Sequence, residues 1–211
     1  MDYILDEKSL ANNIKLLENS GKCQVYAAIV DDVLDNYEHP VSISEIGCGI
    51  ALLSGVINSE GVSYVGYDIN PLSISLCKSR FPDKHFIKQD VRKYCDKVDI
   101  IMAFAFLKHF SLEEAPAVLR ILCEYSQQLI FSMPVGESDV DDLSNGWPHT
   151  FVTRKTLEGW LKSGNHTIVS TDDKDVENIF VTKRVAEAKE EHKETDTAFV
   201  TPKKKSRKKR K

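Results

Sequence analysis

The stretch EIGCGIA, residues 45 to 51, follows directly on the alternating run VSIS and limits this chain more than any other feature. Two glycines two positions apart let a backbone turn tightly and approach a ligand with no β-carbon in the way. At a strand-to-helix turn such a loop lies on the carboxyl edge of a parallel sheet, where helix N–H groups face a ligand's anionic end. The neighbouring segments fit that placement. VSISEI precedes a helix expected over 51–58, VSYVGYD one from Pro71 to Arg80, and KVDIIMAFA one from Leu112 to Tyr125; KHFIKQD leads into a short loop and QLIFSMP into a long polar one. Strand alternating with helix implies a parallel sheet covered on both faces. Ahead of it, apolar spacing from Ser9 to Asn36 predicts two helices broken at Ser20-Gly21. After it, Thr153 is a candidate N-cap for a helix over 154–163. HTIVSTD and ENIFVTK then stand too close for a crossover helix and predict an antiparallel hairpin.

A glycine pair also fits a plain βα turn, so the ligand must be argued from its surroundings. Asp68 ends the next strand nineteen positions after Gly49, the spacing at which an acid reaches ribose hydroxyls. The same acid can serve the helix that starts at Pro71, and the two roles are compatible. A dinucleotide would want GxGxxG, but the last glycine position holds the bulky Leu52. No GxxxxGK[ST] string or lysine cluster adjoins the glycines, which disfavours a phosphate-gripping loop.

The string instead fits ExGxGxA, and here the chain resembles the class I S-adenosylmethionine (SAM) dependent methyltransferases over about residues 20 to 183. EIGCGIA is similar to their first motif, with Ala51 where glycine is common. YVGYDINPLSISLCKSRFP resembles the ribose-binding strand and its helix, FIKQDV the adenine-contacting strand end, and VDIIMAFAFLKHF the fourth-strand motif. The resemblance implies a Rossmann-like α/β fold: a seven-stranded, mostly parallel sheet with helices on both faces and an antiparallel C-terminal hairpin. It also implies SAM as cofactor. Glu45, Gly47 and Gly49 would border its methionine end, Asp68 would bind the ribose and Ile69 flank the adenine. Asp90 would accept from the adenine amino group beside Val91, and Ala103 and Phe104 would close the pocket under the sulfonium. SAM carries a sulfonium, a zwitterionic amino acid and no phosphate, so carboxylates and carbonyls suit it better than a basic cradle.

The acceptor is less constrained. AFAFLKHF lacks the [DNS]PP[YFW] string of amino-methylating DNA enzymes, and MPVG has no cysteine after its proline for attack on C5 of cytosine. A small-molecule or protein acceptor with an oxygen or nitrogen nucleophile is therefore put slightly ahead of nucleic acid. Two histidines are candidate general bases near neutral pH. His109 follows the fourth strand, and His149 sits in NGWPHTFVT, where Trp147 and Pro148 would form a rigid acceptor wall. His109 next to Phe110 fits simple packing as well. The rival function is a non-catalytic methyltransferase-like scaffold; an NAD-type oxidoreductase is disfavoured by Leu52 and the terminal hairpin.

With 211 residues, 42% of them hydrophobic, the chain can bury one sizeable core. Residues 1–183 are read as the catalytic domain, with N-terminal helices over 1–37, and 184–211 as a charged linker and basic tail. The longest apolar run, Val98 to Leu107, is too short for a membrane span, and acids near the start argue against a secretory signal. Five dispersed cysteines without CxxC or Cys/His spacing offer no metal site and fit a cytoplasmic or nuclear protein with core thiols. Residues 203–211 hold eight basic side chains, so a net charge of −4 leaves −12 on the other residues. An acidic body makes a broad nucleic-acid face unlikely to form on the domain, whereas the tail suits nuclear import and weak polyanion contact alike.

Overall fold

The computed structural model describes residues 12, 15, 21–38, 40–57, 60–143, 149–173 and 178–185, and every structural statement concerns these. Helix α1 (Lys22–Leu34) starts at Gly21, whose φ of 68° makes the expected break. Of the helix expected before it, only Asn12 and Lys15 are described, both helical.

Strands β1 (Val41–Ile46), β2 (Val62–Asp68), β3 (His85–Lys88), β4 (Val98–Ala103) and β5 (Ser126–Met133) run parallel in the order β3-β2-β1-β4-β5. Strands β8 (His166–Asp172) and β9 (Asn178–Arg184) complete a seven-stranded sheet, with β9 antiparallel to both β5 and β8. Both faces of β1 are covered, as a central parallel strand requires. Val41 and Ile43 pack with Tyr26, Val30 and Val33 of α1. Ile46 faces the opposite cluster, with Leu119 and Leu122 of α3 (Ala115–Tyr125) and Leu157 and Leu161 of α4 (Arg154–Ser163). Helix α2 (Pro71–Arg80) packs Ile74 and Cys77 against Phe86 and Cys48. Asn70 caps α2 by accepting from Leu72 N–H, and Thr153 caps α4 as expected, accepting from Thr156 N–H.

Three expectations need correction. The helix over 51–58 does not form: Ala51 holds φ 53° and only a short 3-10 turn, Leu53–Gly55, follows. Ser54 bonds its hydroxyl back to the Ala51 carbonyl and Gly55 comes next, two residues that compete with or weaken a helix. Helix α3 begins at Ala115, not Leu112: residues 112–114 form a turn, in which the Leu112 N–H is donated to Asp141 Oδ1 at 2.9 Å. The polar loop after β5 contains a second, two-stranded sheet, β6 (Val140–Asp142) paired antiparallel with β7 (His149–Phe151). Trp147, Pro148 and everything from residue 186 onward lie outside the described residues. The cysteines also differ from a uniform core set: Cys48, Cys77 and Cys123 are buried, but Cys95 is exposed.

Candidate active site

At the carboxyl edge of β1 and β2 the glycine loop uses its N–H groups internally. Gly47 N–H and Cys48 N–H both donate to the Tyr67 carbonyl, at 2.8 and 3.0 Å. Gly49 N–H donates to Asp68 Oδ2 at 2.9 Å, and Asn70 N–H to Asp68 Oδ1 at 2.7 Å. With no α-helix after the loop, the expected helix N–H cradle for an anion is absent here, which suits a ligand without phosphate. Burial pushes the Asp68 carboxyl above the usual range, while the N–H groups of Asn70, Gly49 and Ile69 pull it back down. A carboxylate has about four lone-pair sites, so these backbone bonds do not exhaust what Asp68 can accept.

The two glycines serve different needs. Gly47 (φ 69°) lies against the Phe106 ring, with which any added β-carbon would collide. Gly49 (φ 53°) has nothing within 4 Å of its missing β-carbon, so it borders open space. Close approach of a ligand is therefore argued at Gly49, whereas Gly47 is fixed by an aromatic neighbour.

Glu45 is buried on β1 beside Gly66 of β2. Burial lifts its pKa to about 7; the hydroxyl of Tyr64, which donates to Glu45 Oε2, and Lys84 oppose the rise, and Asp68 adds to it. The Lys84 ammonium bonds the Ser54 carbonyl and stands 5.4 Å from the Tyr64 ring centroid. Ile69, between Asp68 and Asn70, is half-buried.

Asp90 is engaged differently. It accepts from Arg92 N–H at 2.9 Å and pairs with the Arg92 guanidinium through Nε at 2.9 Å and Nη2 at 2.6 Å. The guanidinium bond holds its carboxyl below the usual range. Val91 beside it is buried in the core. Ala103 is fully buried in the same cluster. Phe104 turns to the other face and stacks on Tyr26 of α1, centroids 4.2 Å apart at 11°.

The chain then turns through Ala105 (φ 50°), whose N–H donates to the Ser132 hydroxyl at 2.6 Å. Phe106 packs edge-on to Phe110 at 5.1 Å, and a 3-10 turn, Leu107–His109, carries His109. The hairpin β6–β7 folds over this turn. The Thr150 hydroxyl lies 2.5 Å from the Phe110 carbonyl oxygen and 2.7 Å from Asp141 Oδ1. His149 is thereby brought beside His109, ring centroids 5.8 Å apart and tilted by 31°.

Residues 43–127 match the family model described as a methyltransferase domain. Over those residues the chain is similar to methyltransferase domains. No curated protein matches it significantly by sequence. Among solved structures, it is similar to magnesium protoporphyrin IX methyltransferase from Synechocystis PCC 6803 with bound SAM: 18% identity, 88% of this chain and 87% of that one, TM-score 0.65. It is similar to 1,6-didemethyltoxoflavin-N1-methyltransferase from Burkholderia thailandensis with S-adenosylhomocysteine (12% identity, 85% of each chain, TM-score 0.70). A ribosomal protein L11 methylase from Lactobacillus delbrueckii subsp. bulgaricus matches at 16% identity over 77% of this chain and 78% of that one, TM-score 0.55.

Glu45, Gly49 and Asp68 thus meet at one strand edge, and His109 and His149 meet beyond the end of β4. Sequence reasoning missed Tyr26, Tyr64, Lys84 and Phe106, whose only signal was an aromatic or basic residue near a motif. It also missed the acids of GESDVDDL, which pin the hairpin. A perturbed histidine is no guide here: His166 is held at about 4 by burial, but it bonds Thr182 and the Cys123 carbonyl inside the sheet's far edge. Among the described residues no group of three or more His, Cys, Asp or Glu could hold a metal, and no helix is long and apolar enough to cross a membrane.

Proposed function

We propose that this chain binds SAM over Gly49 and Asp68 and moves its methyl group to an oxygen or nitrogen nucleophile, on a small molecule or protein in preference to nucleic acid. The observation that carries the reading is Asp68: a half-buried carboxylate, oriented by backbone N–H groups including those of Gly49 and Asn70, beside open space at Gly49. Such a carboxylate fits a pair of ribose hydroxyls. Glu45, on the adjoining strand, would answer the positive charge of the methionine portion, and Phe104 and Tyr26 would wall the pocket. Ile69 and Val91 would flank the adenine, and Asp90 would reach its amino group while remaining on Arg92.

When bound, SAM supplies an electrophilic methyl on a sulfonium. The protein's part is to align the acceptor, exclude water and, for a protonated nucleophile, take a proton; alignment alone can supply much of such a rate. The similar structures are named for a porphyrin, a toxoflavin precursor and a ribosomal protein, which supports small-molecule and protein acceptors. Residues 1–183 are taken as the catalytic unit and 184–211 as a linker and tail. The tail is suited to weak, salt-sensitive polyanion contact in the cytoplasm or nucleus.

Incubating the full chain with methyl-labelled SAM and a fractionated cell extract tests the reading. Label in a small-molecule or protein fraction supports it; label confined to nucleic acid corrects the acceptor; no transfer despite SAM binding would establish the scaffold role instead.

A further inference from the structure

Behind the glycine loop lie two buried thiols that the methyl-transfer reading does not use. Cys48 stands between Gly47 and Gly49, and its Sγ is packed so close over Gly66 that a β-carbon there would lie 3.1 Å from it. Cys77 comes from the buried face of α2. Both sulfurs converge on the Gly49 carbonyl: Cys77 Sγ donates to it at 3.2 Å, and Cys48 Sγ lies 4.0 Å from it. With Ala51, Ile74 and Phe86 they form one apolar cluster. Contact with the Cys77 thiol, burial and the neighbouring acids Glu45 and Asp68 hold Cys48 well above the usual thiol range.

We propose that Cys48 and Cys77 are an oxidisable pair: a peroxide joins them as a disulfide, and the new bond distorts the glycine loop so that SAM is excluded. The inference rests on the reading of that loop as the SAM site. Three observations support it. The two sulfurs share one carbonyl oxygen, whereas Cys23, Cys95 and Cys123 sit apart, on α1, in the loop before β4 and on α3. That carbonyl belongs to Gly49, whose N–H holds Asp68 Oδ2 at 2.9 Å. A covalent sulfur–sulfur bond is shorter than any thiol–thiol contact. Closing it draws Cys48 toward α2, removes the Cys77 donor from the Gly49 carbonyl and shifts Gly49 against Asp68. Finally, Cys48 adjoins the open space at Gly49 and keeps 6% exposure while Cys77 has none, so Cys48 meets the oxidant first.

The electrons balance in two steps. The Cys48 sulfur, having lost its proton, attacks one peroxide oxygen; the oxygen–oxygen bond breaks, and the departing hydroxide takes up a proton to become water. The Cys77 sulfur then attacks the Cys48 sulfenic acid, the sulfur–sulfur bond forms and a second water leaves. The two thiols together lose two electrons, and one peroxide gains them. Only the deprotonated sulfur reacts, so the environment that keeps Cys48 protonated protects it while the loop is closed. SAM lying over Gly49 blocks the approach, which makes the SAM-free protein the form that reacts. A reducing thiol reverses the change by exchange.

Hydrogen peroxide treatment of the full chain, with and without SAM, followed by peptide mass mapping and SAM calorimetry, tests this. Without SAM, a peptide linking Cys48 to Cys77 should appear and SAM affinity should fall at least about tenfold, as for loss of one hydrogen bond to a charged group. Dithiothreitol should restore the affinity, and SAM present during treatment should suppress the link. Cys95→Ser should respond as the parent does. Cys77→Ser, which keeps a hydroxyl donor for the Gly49 carbonyl, should show no change in SAM affinity on treatment, and Cys48→Ala repeats that test from the other sulfur. No Cys48–Cys77 link in the SAM-free chain, a link that leaves affinity unchanged, or an equal loss in Cys77→Ser and Cys48→Ala overturns the proposal. Calorimetry of the reduced parent with SAM is read separately: absence of binding there refutes the SAM-site reading itself, whether or not the link forms.

Discussion

The proposed donor edge and the proposed acceptor mouth are built by different means. At the donor edge, backbone does the work: Tyr67 and Asp68, at the end of β2, fix the loop through its own N–H groups, and the acids Glu45 and Asp68 are largely desolvated. At the mouth, a short hairpin is fastened by side chains, Asp139, Asp141 and Thr150, to loops and a helix start. The first arrangement is rigid because the sheet is rigid. The second depends on individual polar contacts.

That contrast can be broken or sharpened by substitution. The largest effect is expected from Gly49→Val. A β-branched residue resists φ 53° and fills the open space, so SAM binding should be lost while circular dichroism stays native. Retained affinity would show that the ligand does not pass over Gly49. Next comes Glu45, whose folded pKa of about 7 stands above the ordinary 4.5. For a raised pKa the stabilising contribution is full below about 4.5 and is lost as pH rises through 7. Glu45→Gln should therefore exceed the parent in stability above pH 7 by up to about 3 kcal/mol, with the gap closing below pH 5. Denaturation at pH 5 and pH 8 measures it, and a pH-independent difference would remove the buried charge from the account.

On the acceptor side, Thr150→Val should cost about 1–3 kcal/mol by stranding its partners, Asp141 and the Phe110 carbonyl. Hydrogen exchange should rise across residues 140–142 and 149–151, with SAM affinity unchanged. Loss of SAM affinity would mean that the two regions are one unit. The smallest effect is expected at Asp90, where Arg92 already takes the guanidinium-facing lone pairs near the surface. Asp90→Ala should change stability by less than about 1 kcal/mol and weaken SAM far less than a change at Asp68 does.

What was legible in the sequence follows the same division. Strand alternation, the Gly47/Gly49 pair and the Asp68 spacing are local patterns set by backbone geometry, and they led to the parallel sheet of strands and helices and to Gly49 near Asp68. The helix over 51–58 was not legible as absent, because Ser54 and Gly55 act against it only once Ala51 has taken a left-handed turn. The packing of Phe106 on Gly47 was not legible, since Phe106 comes from the turn after β4. The hairpin was hidden because its strands are three residues each and their pairing rests on contacts 14 to 40 positions apart. The pairing of Asp90 with Arg92 was not legible, because it needs a turn that periodicity does not reveal.

Titration of SAM into the parent and into Asp68→Ala, by calorimetry at pH 7.5, tests the donor-edge claim most directly. The parent should bind, and the variant should bind at least about tenfold more weakly, since each charge-assisted ribose bond contributes about 1.5–3 kcal/mol, while its far-UV spectrum stays native. Equal affinity in the two proteins, or no binding by the parent at any attainable concentration, would contradict the account.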